Sequence, residues 1–215
     1  DKARVFFTDD REHISLLSMT GSANDELMLQ NELIHHFFFS HITWTKEEDK
    51  RKKIGFYIKT LELPLPVEGI FRIIKHWNVV KRLNKIGFAK NVGKSNGKIY
   101  ASSAGIGVIV IPDDSQQSFI EAGKLLQRVW LKSTELGLSM QPLAGLIYLH
   151  LMVKAGKTEF FSGEQVEMIK ERYSRIDNVF GTSDETVAFM FRTGISKSPS
   201  AHALRFPVEE TIIKD

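Results

Sequence analysis

The chain contains no cysteine, which excludes disulfides, thiolate nucleophiles and zinc–thiolate sites. That usage fits a reducing compartment, and a cytoplasmic protein is expected. No apolar run approaches the roughly 18 residues that a membrane-spanning helix needs, and no secretory signal opens the sequence. Charge of one sign is also missing. The 29 Lys and Arg stand against 26 Asp and Glu, for a formal net charge of +3. Both signs are interspersed, and the local basic excesses at 50–53 and 72–98 read as solvated faces and loops. The case for nucleic acid is therefore weak. There is no internal repeat, no low-complexity tract and no linker that cleanly divides two domains.

Several familiar site signatures are absent or incomplete. Gly93-Lys94-Ser95 lacks the earlier glycine of a phosphate loop, because position 88 is Phe, and the segment precedes a strand instead of following one. Gly105-Ile106-Gly107 has two glycines of a dinucleotide fingerprint but no third, and it lies inside a strand. Close backbone packing within a sheet explains it better. His35 and His36 are adjacent, so on a helix they point about 100° apart, and no Asp or Glu sits at a convincing ligand spacing with them and His41. Core or boundary histidines are expected there. No HExxH motif, no paired-carboxylate signature and no local nucleophile motif occurs, so no catalytic side chain and no metal site is assigned.

What remains is ordinary globular material: 215 residues, 42% apolar, with 15 Phe and 3 Trp to build a core. The chain opens Asp1-Lys2-Ala3, without Met and directly before a strand-like run. We expect a single domain over 1–215 that lacks its N-terminal portion. Arg4–Thr8 reads as a strand, and Gly21–Asn24 as a turn or cap. Leu27, Leu29, Leu33, Ile34, Phe37 and Phe38 form a helical stripe running through Phe39. Thr45 and Glu48 have capping-box spacing. Gly55–Lys59 is a short extended candidate, and Pro66 suits the first turn of a helix with Val67, Ile70, Phe71, Ile74 and Trp77 on its apolar face. The three glycines between Gly87 and Gly97 predict a loop. Ile99–Ile111 predicts a strand whose second half, apolar on both faces, belongs in the middle of a sheet. Pro112–Ser115 ends it and caps an amphipathic helix that stops at Gly137. Leu146–Val153 predicts a helix, Ser162–Gln165 a capping box opening a helix to about Tyr173, and Thr186–Thr193 a second central strand. The tail from Gly194 has little periodicity and reads as a surface segment.

Four collinear segments from Ser102 onward resemble the nitroreductase family. They are the inner strand Ser102–Ile111, the long helix Glu121–Leu138, the turn Gln141-Pro142-Leu143-Ala144-Gly145, and Phe189–Gly194 followed by Arg205-Phe206-Pro207. The region before residue 100 is similar to the divergent branch that includes the Acg-like proteins and domains fused to ThiF-type adenylating domains. The resemblance implies an α+β fold with a mainly antiparallel central sheet flanked by helices, and FMN as cofactor. It implies that Gln141, Pro142, Leu143, Ala144 and Gly145 lie against the flavin ring, and that Arg205 holds the phosphate. It further implies NAD(P)H as electron donor, a flat electron-poor small-molecule acceptor, and a homodimer or association with a missing N-terminal portion. The family's early Arg-x-Ser-x-Arg-like cluster is absent here, and Ala203 stands where many members carry another basic residue. The alternative is a non-catalytic domain that sequesters flavin or regulates a larger, ThiF-fused protein. Protein that is yellow after purification discriminates the first reading from the second.

Overall fold

Two apolar strands organise the molecule, as their composition predicts. In the computed structural model, which describes residues 3–212, the chain runs β1 (Arg4–Thr8), α1 (Arg11–Gly21), α2 (Ala23–Gln30), α3 (Glu32–Ser40), β2 (Ile42–Thr43), α4 (Lys46–Lys52), β3 (Phe56–Tyr57), α5 (Leu65–Ile74), α6 (Trp77–Leu83) and α7 (Phe88–Tyr100). It continues through β4 (Gly105–Ile111), α8 (Gln116–Glu135), β5 (Ser139–Pro142), α9 (Gly145–Lys154), α10 (Gly163–Phe180), β6 (Thr186–Gly194) and α11 (Val208–Thr211). The expectations that fall on Asp1 and Lys2 and on the last three residues lie outside the described residues.

The chain divides into two compact units: Asp1–Leu27 with Gly87–Ser196, and Met28–Ile86 with Lys197–Asp215. The first unit holds a four-stranded antiparallel sheet in the order β1-β4-β6-β5. Every residue of β4 is buried, which is what a strand without a polar face requires. Helix α8 covers one face of the sheet, where Ile109, Ile111, Ala188 and Phe191 pack with Ala122 and, half-buried, Phe119, Leu126 and Val129. Helices α1, α9 and α10 lie on the other face, and α7 packs along α1. The α+β architecture with an antiparallel sheet is therefore as expected.

The second unit is built around a buried histidine. His35 is fully buried and its Nε2 lies 2.8 Å from the Ile74 carbonyl, with the rings of Phe39 and Trp77 against it. This is the core histidine the sequence suggests. Phe39 also stacks parallel to Trp44, and β2 and β3 form a two-residue parallel ladder. The tail stays with this unit: Lys53 pairs with Glu210 at 3.1 Å and lies over the Phe206 ring.

Local signals explain most element boundaries. Asp10, Asn31, Thr45, Ser115 and Ser162 each cap a helix by accepting from backbone N–H groups. At Ser162 the box is reciprocal with Gln165. Four expectations are corrected. The stripe through Phe39 is two helices, because Asn31 accepts from Leu33 and Ile34 N–H and so starts a new one. Pro66 and Trp77 belong to different helices, α5 and α6. The segment 87–97 is not a loop but most of α7, which runs to Tyr100, so the strand starts at Gly105 and not at Ile99. Finally, α10 continues past Tyr173 to Phe180 and stops at Gly181 in the left-handed region (φ 65°). Helix α1, seen in the structure, carries no expectation from the sequence.

Candidate functional site

The segment singled out at 141–145 is a strand-to-helix step and not a simple turn. Ser139–Pro142 pairs with β6 as the edge strand β5, a position that tolerates proline's missing N–H. Leu143 N–H donates to the Met190 carbonyl at 2.8 Å, so that group is already used. Ala144 then opens α9, and no side chain caps it. By helix geometry the first N–H groups of α9, beginning at Gly145, have no partner within the helix. Leu143 and Ala144 are buried, Gly145 is half-buried, and Gln141 and Pro142 are exposed.

Both ends of this step are tied into one polar network. Gln141 and Arg192 face each other across β5 and β6, and the Arg192 Nε–H donates to Gln141 Oε1 at 2.6 Å. The guanidinium also donates from Nη1 to the Ile99 carbonyl at 3.2 Å and to Ser103 Oγ at 3.4 Å, and it lies 5.0 Å over the Tyr100 ring. Tyr100 Oη donates to Asp25 at 2.7 Å, and Asn96 donates to the same carboxylate at 2.9 Å. Asn24, beside Asp25 on α2, closes the other end: a Cβ added at Gly145 would lie 2.7 Å from Asn24 Nδ2. Gly145 is glycine because the Asn24 carboxamide occupies the place of a side chain. Burial raises both the Asp25 carboxyl and the Tyr100 hydroxyl above their ordinary ranges. Burial lowers Arg192.

Arg205 is exposed and lies in the second unit, whereas residues 141–145 lie in the first. It makes no hydrogen bond or ion pair among the described residues. Sequence reasoning did not find Arg192, Tyr100, Asp25 or Asn24. Arg192 had a signal, a lone cation in an otherwise apolar strand. The other three sit on helices and carry no local mark.

A half-buried histidine and a buried tyrosine meet between α9 and α10. The His150 ring stacks on Tyr173, with centroids 3.5 Å apart, and Tyr173 Oη accepts from Val187 N–H at 3.1 Å. His150 Nδ1 is buried without a partner among the described residues. Burial, then the nearby Lys154 charge, pushes the imidazole down to about 4, whereas an unfolded histidine titrates near 6.5. The folded state therefore binds this proton less readily than the unfolded state. Stability attached to His150 is complete above about pH 6.5 and is lost as pH falls through that value towards 4. His150→Phe, which keeps the stack, is expected to show a shallower loss in urea midpoint between pH 7 and pH 4.5 than the parent. Parallel curves would count against the assignment.

No family model matches this chain. The chain is 20% identical over 142 residues, 66% of its length, to the "Uncharacterized protein MT1398" of Mycobacterium tuberculosis, and it spans about a fifth of that protein (20%). Among solved structures it is similar to a nitroreductase-like family protein from Bacillus cereus, at 11% identity and a TM-score of 0.46, covering 100% of this chain and 73% of that one. It is also similar to the FMN-dependent nitroreductase NfnB from Mycobacterium smegmatis, solved in complex with NADPH, at 9% identity and a TM-score of 0.48, covering 100% and 79%.

Proposed function

We propose that the chain is an FMN-binding oxidoreductase of the nitroreductase-like type, taking electrons from NAD(P)H and passing them to a flat, electron-poor small molecule. The observation that carries this reading is the uncapped start of α9, delivered by an edge strand in the segment the resemblance marks. Its donor chemistry suits a flavin ring, whose carbonyl and nitrogen edge accepts hydrogen bonds. Gly145, half-buried, offers a backbone N–H group there, whereas Leu146 and Ile147 behind it are fully buried. Gln141 offers the NH₂ of a carboxamide whose oxygen is already engaged by Arg192. Pro142, Leu143 and Ala144 fix the path between them. Bound FMN would supply the redox chemistry, while these residues bind and orient it. A homodimer, or association with a further portion of chain, belongs to the same proposal.

The test is reconstitution. Protein incubated with FMN and freed of excess by gel filtration is expected to stay yellow, with flavin absorbance that bleaches on adding NADPH or NADH. A well-folded but colourless protein that takes up no FMN would overturn the proposal and leave the non-catalytic alternative.

A further inference from the structure

We propose that Arg192 and Arg11, converging on Ser103, form a binding site for a phosphate-class oxyanion. The sequence contains no contiguous Arg-Ser-Arg cluster, but three separate elements bring those side chains together. Arg192 stands on β6. Arg11 opens α1 and donates from Nη1 to the Ser103 carbonyl at 2.9 Å. Ser103 lies just before β4 and is buried, with its hydroxyl donating to the Tyr100 carbonyl and accepting from Arg192.

The argument rests on uncompensated charge. Every partner of the Arg192 guanidinium is neutral: the Gln141 carboxamide, the Ile99 carbonyl, the Ser103 hydroxyl and the Tyr100 ring. Its Nη2 has no acceptor among the described residues. The nearby carboxylate of Asp25 is committed to Tyr100 and Asn96. By contrast the other half-buried arginines, Arg172 and Arg175, pair with Glu171. A half-buried cation without an anion is costly, and Arg11, also without an ion pair among the described residues, adds a second positive charge at the same residue. An oxyanion with several acceptor oxygens neutralises both and takes the donors left over. A tetrahedral dianion has oxygens enough for the Nη2 donors of Arg192 and the donors of Arg11 not bound to Ser103, which a single carboxylate serves less well. The ligand is either inorganic phosphate or the phosphate of a larger molecule. The flavin cofactor is one such source, and only that source rests on the proposed function.

The experiment follows the arginine Nε–H signals of ¹⁵N-labelled protein during titration with inorganic phosphate, against sodium chloride at matched ionic strength, with affinity from calorimetry. Saturable shifts at Arg192 and Arg11 are expected in phosphate alone. Arg192→Gln is expected to weaken phosphate by about tenfold or more, since charge-assisted bonds are lost. Arg11→Gln, an exposed change that leaves folding intact, is expected to weaken it several-fold. Phosphate that moves neither arginine beyond the chloride control, or binds Arg11→Gln as tightly as the parent, overturns the site. Displacement of phosphate by FMN but not by riboflavin assigns the anion to the cofactor. Phosphate binding that FMN does not disturb keeps the site and assigns it to a free phosphate ligand. Failure of FMN to bind at all removes the flavin reading without touching the phosphate result.

Discussion

Gly107→Val is expected to lower stability by about 3 kcal/mol, or about 10 °C in Tm for a chain of this size. Gly107 is in the middle of β4 and pairs with Phe191 of β6. The Phe191 ring lies flat across it: a Cβ added at Gly107 would come within 2.9 Å of Cε1 and 3.0 Å of Cε2. That ring is 2% exposed and sits in the cluster under α8, so it cannot swing into solvent. A valine there must push Phe191 into Ile109 and Ala188 or spread the two central strands. Gly105 makes the contrast. The ring over it belongs to Phe7, which is 53% exposed, so Gly105→Ala is expected to cost clearly less. Thermal melts of the two variants check both. Equal losses would mean that backbone conformation, and not ring packing, fixes these glycines.

The same two glycines show what the sequence made legible. Position inside a strand was enough to reject a dinucleotide loop at 105–107, because that motif must follow a strand and bind with its backbone. Runs with one clear pattern also read well: the buried half of the first central strand, the second central strand, α8 and its stop at Gly137, and the cap at Ser162. Those signals are local, since the residues that specify them lie within a few positions. The errors arise where one residue decides against its neighbours. Asn31 ends one helix and begins another within an unbroken apolar stripe, and its capping role shows only once the chain bends. The candidate site follows the same division. Gln141 to Gly145 could be picked out as a segment. The ring of Asn24, Asp25, Tyr100 and Arg192 that braces it is assembled from α2, α7 and β6, more than 160 residues apart in sequence at its extremes. No spacing rule spans that distance. The meeting of Arg11 and Arg192 at Ser103 was invisible for the same reason.

Gly97→Val is expected to destabilise by about 2–3 kcal/mol, while Gly123→Ala stabilises by about 0.5–1 kcal/mol. Both glycines lie inside helices, where glycine is intrinsically poor. Propensity alone predicts that replacing either one helps. Their surroundings reverse the sign for one of them. Ala89, Gly93 and Gly97 recur every four residues and form the buried face of α7, which lies along α1. A Cβ at Gly97 would stand 3.0 Å from Ser22 Oγ and 3.3 Å from Met19 Cα, with the Met19 sulfur closer still. The sulfur can move, but the backbone of α1 cannot without lifting the helix from the seam. At Gly93 the matching neighbours are the Glu26 side chain at 3.0 Å and the Ser22 carbonyl at 3.4 Å, so the whole stripe is a close helix contact. Read along the chain, those glycines suggest a loop; read at four-residue steps, they are what lets two helices touch. Gly123, on the exposed side of α8, has nothing within 4 Å of its added Cβ, so only the helix term remains. Urea midpoints of the two variants should therefore move in opposite directions. A stabilised Gly97→Val would mean that α7 does not rest on α1 as described, and with it would fall the placement of Tyr100 at the end of α7 beneath Arg192.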